Sequence, residues 1–271
     1  MGKSKRNILV CVSVSALCLT AVLPALASKS DPDASARLMV GLLHRWPFAG
    51  DTNDIAGHLN AKAQGPVSYT EVGDGMGIVF DGKATGISLP SAPDMQFKGS
   101  LTISVWANLY ARPSAGQMWS SIIFNGDDRP GLDPFALQAD PKGNISFLLT
   151  GLNNAVTIEA PMPLRTYVFL TATYDKASGT QNLYEDGKLV NQSVGNTTLT
   201  PVVPLVDNAK PGIGIGTNNS FPTSIYNYGW KGVISDLRIY NRALAPAEVV
   251  ALYHQGVTIP KTQAKVINPT R

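Results

Sequence analysis

The sequence predicts an all-β protein: two antiparallel sheets packed as a sandwich, with one short C-terminal helix. Three observations carry this. Short apolar or alternating segments recur between turn signals along most of the chain, the spacing of a sandwich. Leu101–Tyr110 alternates cleanly, with Leu101, Ile103, Val105, Ala107 and Leu109 on one face and Thr102, Ser104, Trp106, Asn108 and Tyr110 on the other. Thr166–Val194 reads as three strands and two turns. Its first strand, Thr166–Tyr174, is β-branched and aromatic on both faces, as in a central strand. Asp175–Gly179 is a short connection ending in glycine, and Asp186-Gly187 is a type I′ signal.

The other elements follow in order. Met1–Ala27 has the three parts of a secretory signal: a basic start (Lys3, Lys5, Arg6), an uncharged apolar run Ile8–Leu23, and the small-x-small site Ala25-Leu26-Ala27. The run is short of the roughly 20 residues that span a bilayer, so no stable membrane anchor is expected. Cleavage after Ala27 would place the mature chain in an extracellular or periplasmic compartment. Residues 28–37 read as a linker, 38–256 as one folded domain, and 257–271 as a loose tail. Leu38–Trp46 is the predicted first strand. Gly75–Pro90 holds two short strands around Asp81-Gly82-Lys83, read as a tight hairpin. Trp119–Phe124, Phe135–Ala139, Ile145–Thr150 and Val156–Glu159 are further strands. Gly212–Gly216 superficially resembles a phosphate-binding run, but no helix follows it, and it is assigned as a strand. Pro246 opens the helix and Gly256 ends it.

Composition excludes several functions. Cys11 and Cys18, the 2 cysteines of the 271-residue chain, both lie in the signal segment, so the mature protein would have no disulfide. The 22 basic residues include Lys3, Lys5 and Arg6, and removing those leaves 19 against 19 acidic ones. The basic pI therefore belongs to the leader, and nucleic acid is not an indicated partner.

The meander "TATYDKASGTQNLYEDGKLV" resembles the signature of the laminin-G-like, concanavalin A-like jelly-roll domains. Further motifs agree in order: Trp46-Pro47-Phe48 before an Asp/Asn/Gly loop, Phe80-Asp81-Gly82, the Thr-Ile-Ser-x-Trp strand ending at Trp106, and "GVISDLRIYNRAL" at Gly232–Leu244. The resemblance spans about Gly41 to Gly256 and implies a jelly-roll sandwich. It departs from the family at Ala245, where a capping Ser is usual; the missing cap should cost on the order of 1 kcal/mol.

The family includes glycoside hydrolases and polysaccharide lyases as well as lectins and adhesive domains, so the fold does not choose a function. Glycoside hydrolysis needs two positioned carboxyl groups, and no strand carries closely spaced Glu and Asp on one face. Glu185 and Asp186 are adjacent and point to opposite faces. No pair among His44, His58 and His254 has metal-ligand spacing. The chain reads as a non-catalytic recognition module for a glycan or a cell-surface protein. Trp119, Tyr226, Tyr228 and Trp230 could supply flat faces for sugar, and Asn218, Asn219 and Asn227 amides for its hydroxyls. The other reading packs these aromatics over the sandwich, as is expected for Trp106. A calcium site is a further expectation: Asp51, Asn53 and Asp54, joined by Asp236, could contribute to the about six to eight oxygens calcium takes. The alternatives are a surface turn held by Asp and Asn side chains and an Asp236–Arg238 pair.

Overall fold

The structure, a computed structural model, describes residues 32–256 except 91, 114–116, 127–132, 151–154, 197–211 and 218–228. Its elements are α1 (Pro32–Met39), β1 (Leu42–Trp46), β2 (Lys62–Gln64), β3 (Ser68–Val72), β4 (Gly75–Asp81), β5 (Gly86–Leu89), a 3₁₀ turn at Pro93–Met95, β6 (Leu101–Leu109), β7 (Ser120–Gly126), β8 (Phe135–Ala139), β9 (Asn144–Thr150), β10 (Ala155–Pro161), β11 (Tyr167–Asp175), β12 (Thr180–Glu185), β13 (Lys188–Ser193), β14 (Gly212–Ile215), β15 (Lys231–Tyr240) and α2 (Pro246–Gln255). They form two antiparallel sheets. The first runs β13-β12-β11-β6-β15-β4-β3, with β1 also paired to β15. The second runs β10-β9-β8-β7-β14-β5-β2. This is the predicted jelly-roll sandwich with its C-terminal helix.

The alternation read from Leu101–Leu109 is the packing observed. Leu101, Ile103, Val105, Ala107 and Leu109 all face the core between the sheets, as do Val168, Leu170, Ala172 and Tyr174 of β11. The opposite face of this first sheet is also buried. Trp106, Phe169, Tyr184 and Tyr240 pack there under Leu38, Leu244, Val249 and Leu252. Trp106 is thus a packed residue, tilted against Phe169 at 5.2 Å between ring centroids. Asp186 and Gly187 both take positive φ, at 49° and 79°, the type I′ geometry their sequence called for. The Asp186 carboxylate also accepts the Phe169 N–H at 2.9 Å, tying the hairpin to β11.

Two sequence expectations change. Leu38 lies in a helix, not a strand: α1 occupies Pro32–Met39, and Leu38 is buried against the first sheet. An eight-residue helix is marginal alone and depends on such docking. The Asp81-Gly82 turn is not a hairpin, because β4 belongs to the first sheet and β5 to the second. Asp81 makes the crossing by accepting N–H groups of Lys83, Ala84 and Thr85 at 2.8, 2.9 and 3.0 Å on one oxygen. Local turn chemistry is the same for a hairpin and a crossing, so the sequence could not separate them.

A further departure from simple alternation is in β15. Strict alternation sets Ile234 and Leu237 on opposite faces, yet both point into the core. A bulge between Ser235 and Arg238 restores the phase, with Asp236 at φ 47°. At this point the neighbour of β15 changes. Val233 and Ile234 pair with β4, whereas Leu237 to Tyr240 pair with β1.

α2 begins at Ala245, which makes no side-chain cap bond. Glu248 reaches back to the Ala245 N–H at 2.8 Å and also holds Arg242 through two oxygens, at 2.7 and 2.9 Å. One donor of the first turn is therefore already satisfied. Ala245→Ser should offer the Glu248 N–H, which donates to Ala245 O at 2.9 Å, a side-chain acceptor as well, and raise stability by about 0.5 kcal/mol. Urea unfolding reads this as a higher midpoint at unchanged slope.

Candidate functional site

The loop after β1 is built on Asp54, whose side chain is wholly buried. Its Oδ1 accepts the N–H groups of Arg45 (2.9 Å), Ala56 (3.0 Å) and Gly57 (3.1 Å). Its Oδ2 accepts Leu59 N–H (2.8 Å) and His44 Nδ1–H (2.7 Å). Burial opposes ionisation here, but the backbone bonds from Arg45 and Ala56, the His44 bond and the Gly57 bond outweigh it and bring the carboxyl down to about 2. Gly57 is required by close approach: a Cβ there would lie 2.2 Å from the Leu43 carbonyl oxygen. His44 stacks on Trp46 at 5.3 Å, and its Nε2 lies 3.3 Å from an Asp94 oxygen.

These residues do not fit the cation expected of them. Both Asp54 oxygens are filled by N–H donors, and calcium would have to displace them. Asp51 and Asn53 form a surface turn: Asp51 accepts the Asn53 N–H at 3.0 Å and its Nδ2–H at 2.8 Å. Asp236 points at two guanidinium groups, Arg45 Nε at 2.7 Å and Arg238 Nη2 at 2.6 Å. Burial raises the Asp236 carboxyl, but the Arg238 charge and bonds, with Arg45, hold it below the usual carboxylate range. Among the described residues no group of three or more His, Cys, Asp or Glu is arranged to hold a metal. The loop and Asp236 do come together, through Arg45, which donates its N–H to Asp54 and its side chain to Asp236. The contact is an ion-pair network.

The predicted ligand residues divide. Trp230 is fully buried in the central core, so it offers no face to a sugar. Asn218, Asn219, Tyr226, Asn227 and Tyr228 lie outside the described residues. Trp119 is half-buried at the start of β7 and packs with Leu148 on Phe124 and Ala136. That cluster is on the outer face of the second sheet, since Ile123, Phe135 and Leu137 point inward. Both ends of the segment carrying the missing residues are tied beside it. Trp230 N–H donates to Gly216 O at 2.9 Å, Gly216 N–H to Ile122 O at 3.0 Å, and Ser120 Oγ to Gly229 O at 3.0 Å. The described residues that flank this segment, Gly216 and Gly229, are thus held next to β7, which Trp119 precedes.

Sequence reasoning missed a second concave region, beside the start of α2 on the outer face of the first sheet. Its polar residues come from the β11–β12 hairpin and from the β15–α2 connection. No local pattern marks it, because its two walls are roughly 65 residues apart.

No curated protein matches the chain. The binding domain of Paraclostridial Mosquitocidal Protein 1 superposes with a TM-score of 0.63 at 16% identity, covering 80% of this chain and 53% of that one. Domain 4 of AbnA, a GH43 extracellular arabinanase from Geobacillus stearothermophilus, solved with arabinotriose, gives 0.58 at 19% identity, covering 78% of this chain and 98% of that one. The binding domain of Botulinum neurotoxin DC, solved with SialylT, gives 0.58 at 12% identity, covering 80% and 52%. The chain thus spans about half the length of the toxin binding domains. At such identities the likeness is one of fold. The family profile Laminin_G_3, described as the concanavalin A-like lectin/glucanases superfamily, matches residues 81–250, more than half of the 271. The phase-breaking bulge of β15, the sheet-crossing Asp81 turn and the β11–β13 meander all fall inside that match, and the chain belongs to this family.

Proposed function

We propose that this chain is a secreted, non-catalytic recognition module that binds a glycan or a cell-surface glycoconjugate around Trp119. The carrying observation is the half-buried Trp119, set on an apolar cluster at the point where both ends of the Asn- and Tyr-bearing segment are tied. A tryptophan face supplies the flat apolar surface that sugar C–H groups need, and neighbouring amides can pair with hydroxyls. Related folds support the reading. They include a domain solved with arabinotriose, toxin binding domains solved with SialylT and with rat synaptotagmin II, and a toxin whose cell entry depends on two ganglioside molecules. Secretion rests on the three-part N-terminal segment.

A glycan array tests this. The mature protein should retain a defined subset of glycans, and Trp119→Ala should weaken retention at least about tenfold, the effect of losing one aromatic anchor. Unchanged binding by a folded Trp119→Ala protein would overturn the site. Steady release of reducing ends, lost on changing one Glu or Asp, would overturn the non-catalytic assignment.

A further inference from the structure

The cleft beside α2 has no part in the reading above, and it faces the other way. Thr173 and Asn182 point outward from the first sheet, because their neighbours Ala172, Tyr174, Gln181 and Leu183 fill the core. The cleft has a volume of about 560 Å³, within the range of small-molecule sites. One wall is Ser100, Thr173, Asp175, Ser178, Thr180 and Asn182. The facing wall is Asn241, Arg242 and Glu248, and Ala243–Ala245 supply a small apolar floor.

The walls are held in place before any ligand arrives. Asp175 accepts Ser178 Oγ–H at 2.6 Å and the Ala177 N–H at 3.1 Å. The Ser178 bond, above all, holds the Asp175 carboxyl below its ordinary range. Asn182 donates to Thr173 Oγ1 at 3.2 Å and accepts from Gln192 at 2.7 Å. Glu248 is fixed by its two bonds to Arg242. Short side chains fixed in this way lose little freedom on binding.

The charge selects the ligand class. Among the described lining residues Arg242 is the cation, and four of its five N–H groups are engaged: Nη1 and Nη2 go to Glu248, Nη2 also to Arg37 O, and Nε to Val40 O. Among the same described residues, two carboxylates (Asp175, Glu248) stand against one guanidinium. A phosphate, sulfate or uronic acid would meet the like charges of Asp175 and Glu248. Spare capacity is in hydroxyls and amides, which suit a neutral polyhydroxylated molecule. From these features we propose that the cleft is a second binding site, for neutral saccharide, on the face of the sandwich opposite Trp119. The module is then bivalent, and tethering to two points of one polysaccharide raises avidity without new contacts.

Amide chemical-shift mapping on the mature protein tests the site, with maltotriose and xylotriose as neutral probes and trigalacturonate as the acidic one. Each is raised to about 20 mM, enough for a millimolar site. At least one neutral probe should move Ser178, Thr180, Asn182 and Asn241, and trigalacturonate should leave them still. Asn182→Ala/Asn241→Ala should weaken that response at least about tenfold in a protein that remains folded, as its dispersed amide spectrum will show. Ala243→Trp, which fills the floor, should abolish it. Trp119→Ala should leave it intact, so the two sites fail separately. Neutral probes that move only residues near Trp119, or no residue, would overturn this site, as would an equal response to trigalacturonate. So would a response in the cleft that survives both cleft variants.

Discussion

Asp54→Ala lowers the unfolding free energy by about 4 kcal/mol, which for a domain of this size is a melting temperature lower by about 10 °C. The substitution strands the N–H groups of Arg45, Ala56, Gly57 and Leu59 and the His44 Nδ1–H, all of which the carboxylate accepts. Each buried donor left without an acceptor costs about 1–3 kcal/mol, and water entering the vacated space returns part of this. Charge matters as well as shape. The folded carboxyl sits near 2 against an ordinary 3.8. A depressed folded value means stability that is fully present above the ordinary value and lost as pH falls through the folded one. Wild-type stability should therefore drop by about 2 kcal/mol as pH falls from about 4 to about 2 on this account alone. Asp54→Asn should flatten that part of the profile. The same measurement separates an amide-filled carboxylate from a cation ligand. Millimolar calcium and chelator should give equal melting temperatures for the wild type, because binding would have to break bonds already made.

Asp236→Ala is expected to cost about 3–5 kcal/mol, the range for breaking a buried ion pair from one side. Its partner Arg238 is 7% exposed, and removing the carboxylate leaves that guanidinium buried and uncompensated. Arg45, anchored by Asp236 at 2.7 Å, is also released, and with it the tie between β1 and the bulge in β15. Backbone adds to the loss, since Asp tolerates the 47° φ of this position better than Ala. Asp236→Asn keeps the local preference and one acceptor, and should fall between wild type and Ala. Urea unfolding with the three proteins ranks them. Equal stability of Asp236→Ala and wild type would mean that Arg238 finds solvent in the mutant and that the network contributes nothing net.

Both residues belonged to one sequence expectation, and the structure shows which donors surround each of them. An Asp/Asn/Gly loop and a distant Asp were correctly judged to lie near each other. The chemistry of their meeting was not legible, because it depends on which donors arrive with them. Arg45 brings an N–H to one carboxylate and a guanidinium to the other, and Ala56, Gly57 and Leu59 fold back with their own N–H groups. A carboxylate surrounded by donors and one waiting for a cation look alike in one dimension.

What the sequence by itself determined is the part governed by local periodicity and turn chemistry. Alternation in Leu101–Leu109 and Thr166–Tyr174 set which residues enter the core, since a strand turns successive side chains to opposite faces. The Asp186-Gly187 turn, the strand at Gly212–Ile215 and the helix opening at Pro246 are likewise short-range, and each appears as read. Tertiary structure alone decided which sheet each strand joins, where β15 slips phase, and which aromatics remain available. Trp230 is sealed in the core, whereas Trp119, which precedes β7, stays half-buried. The reason is physical. Burial is set by what lies on the far side of a strand, and in this fold those neighbours come from distant parts of the chain.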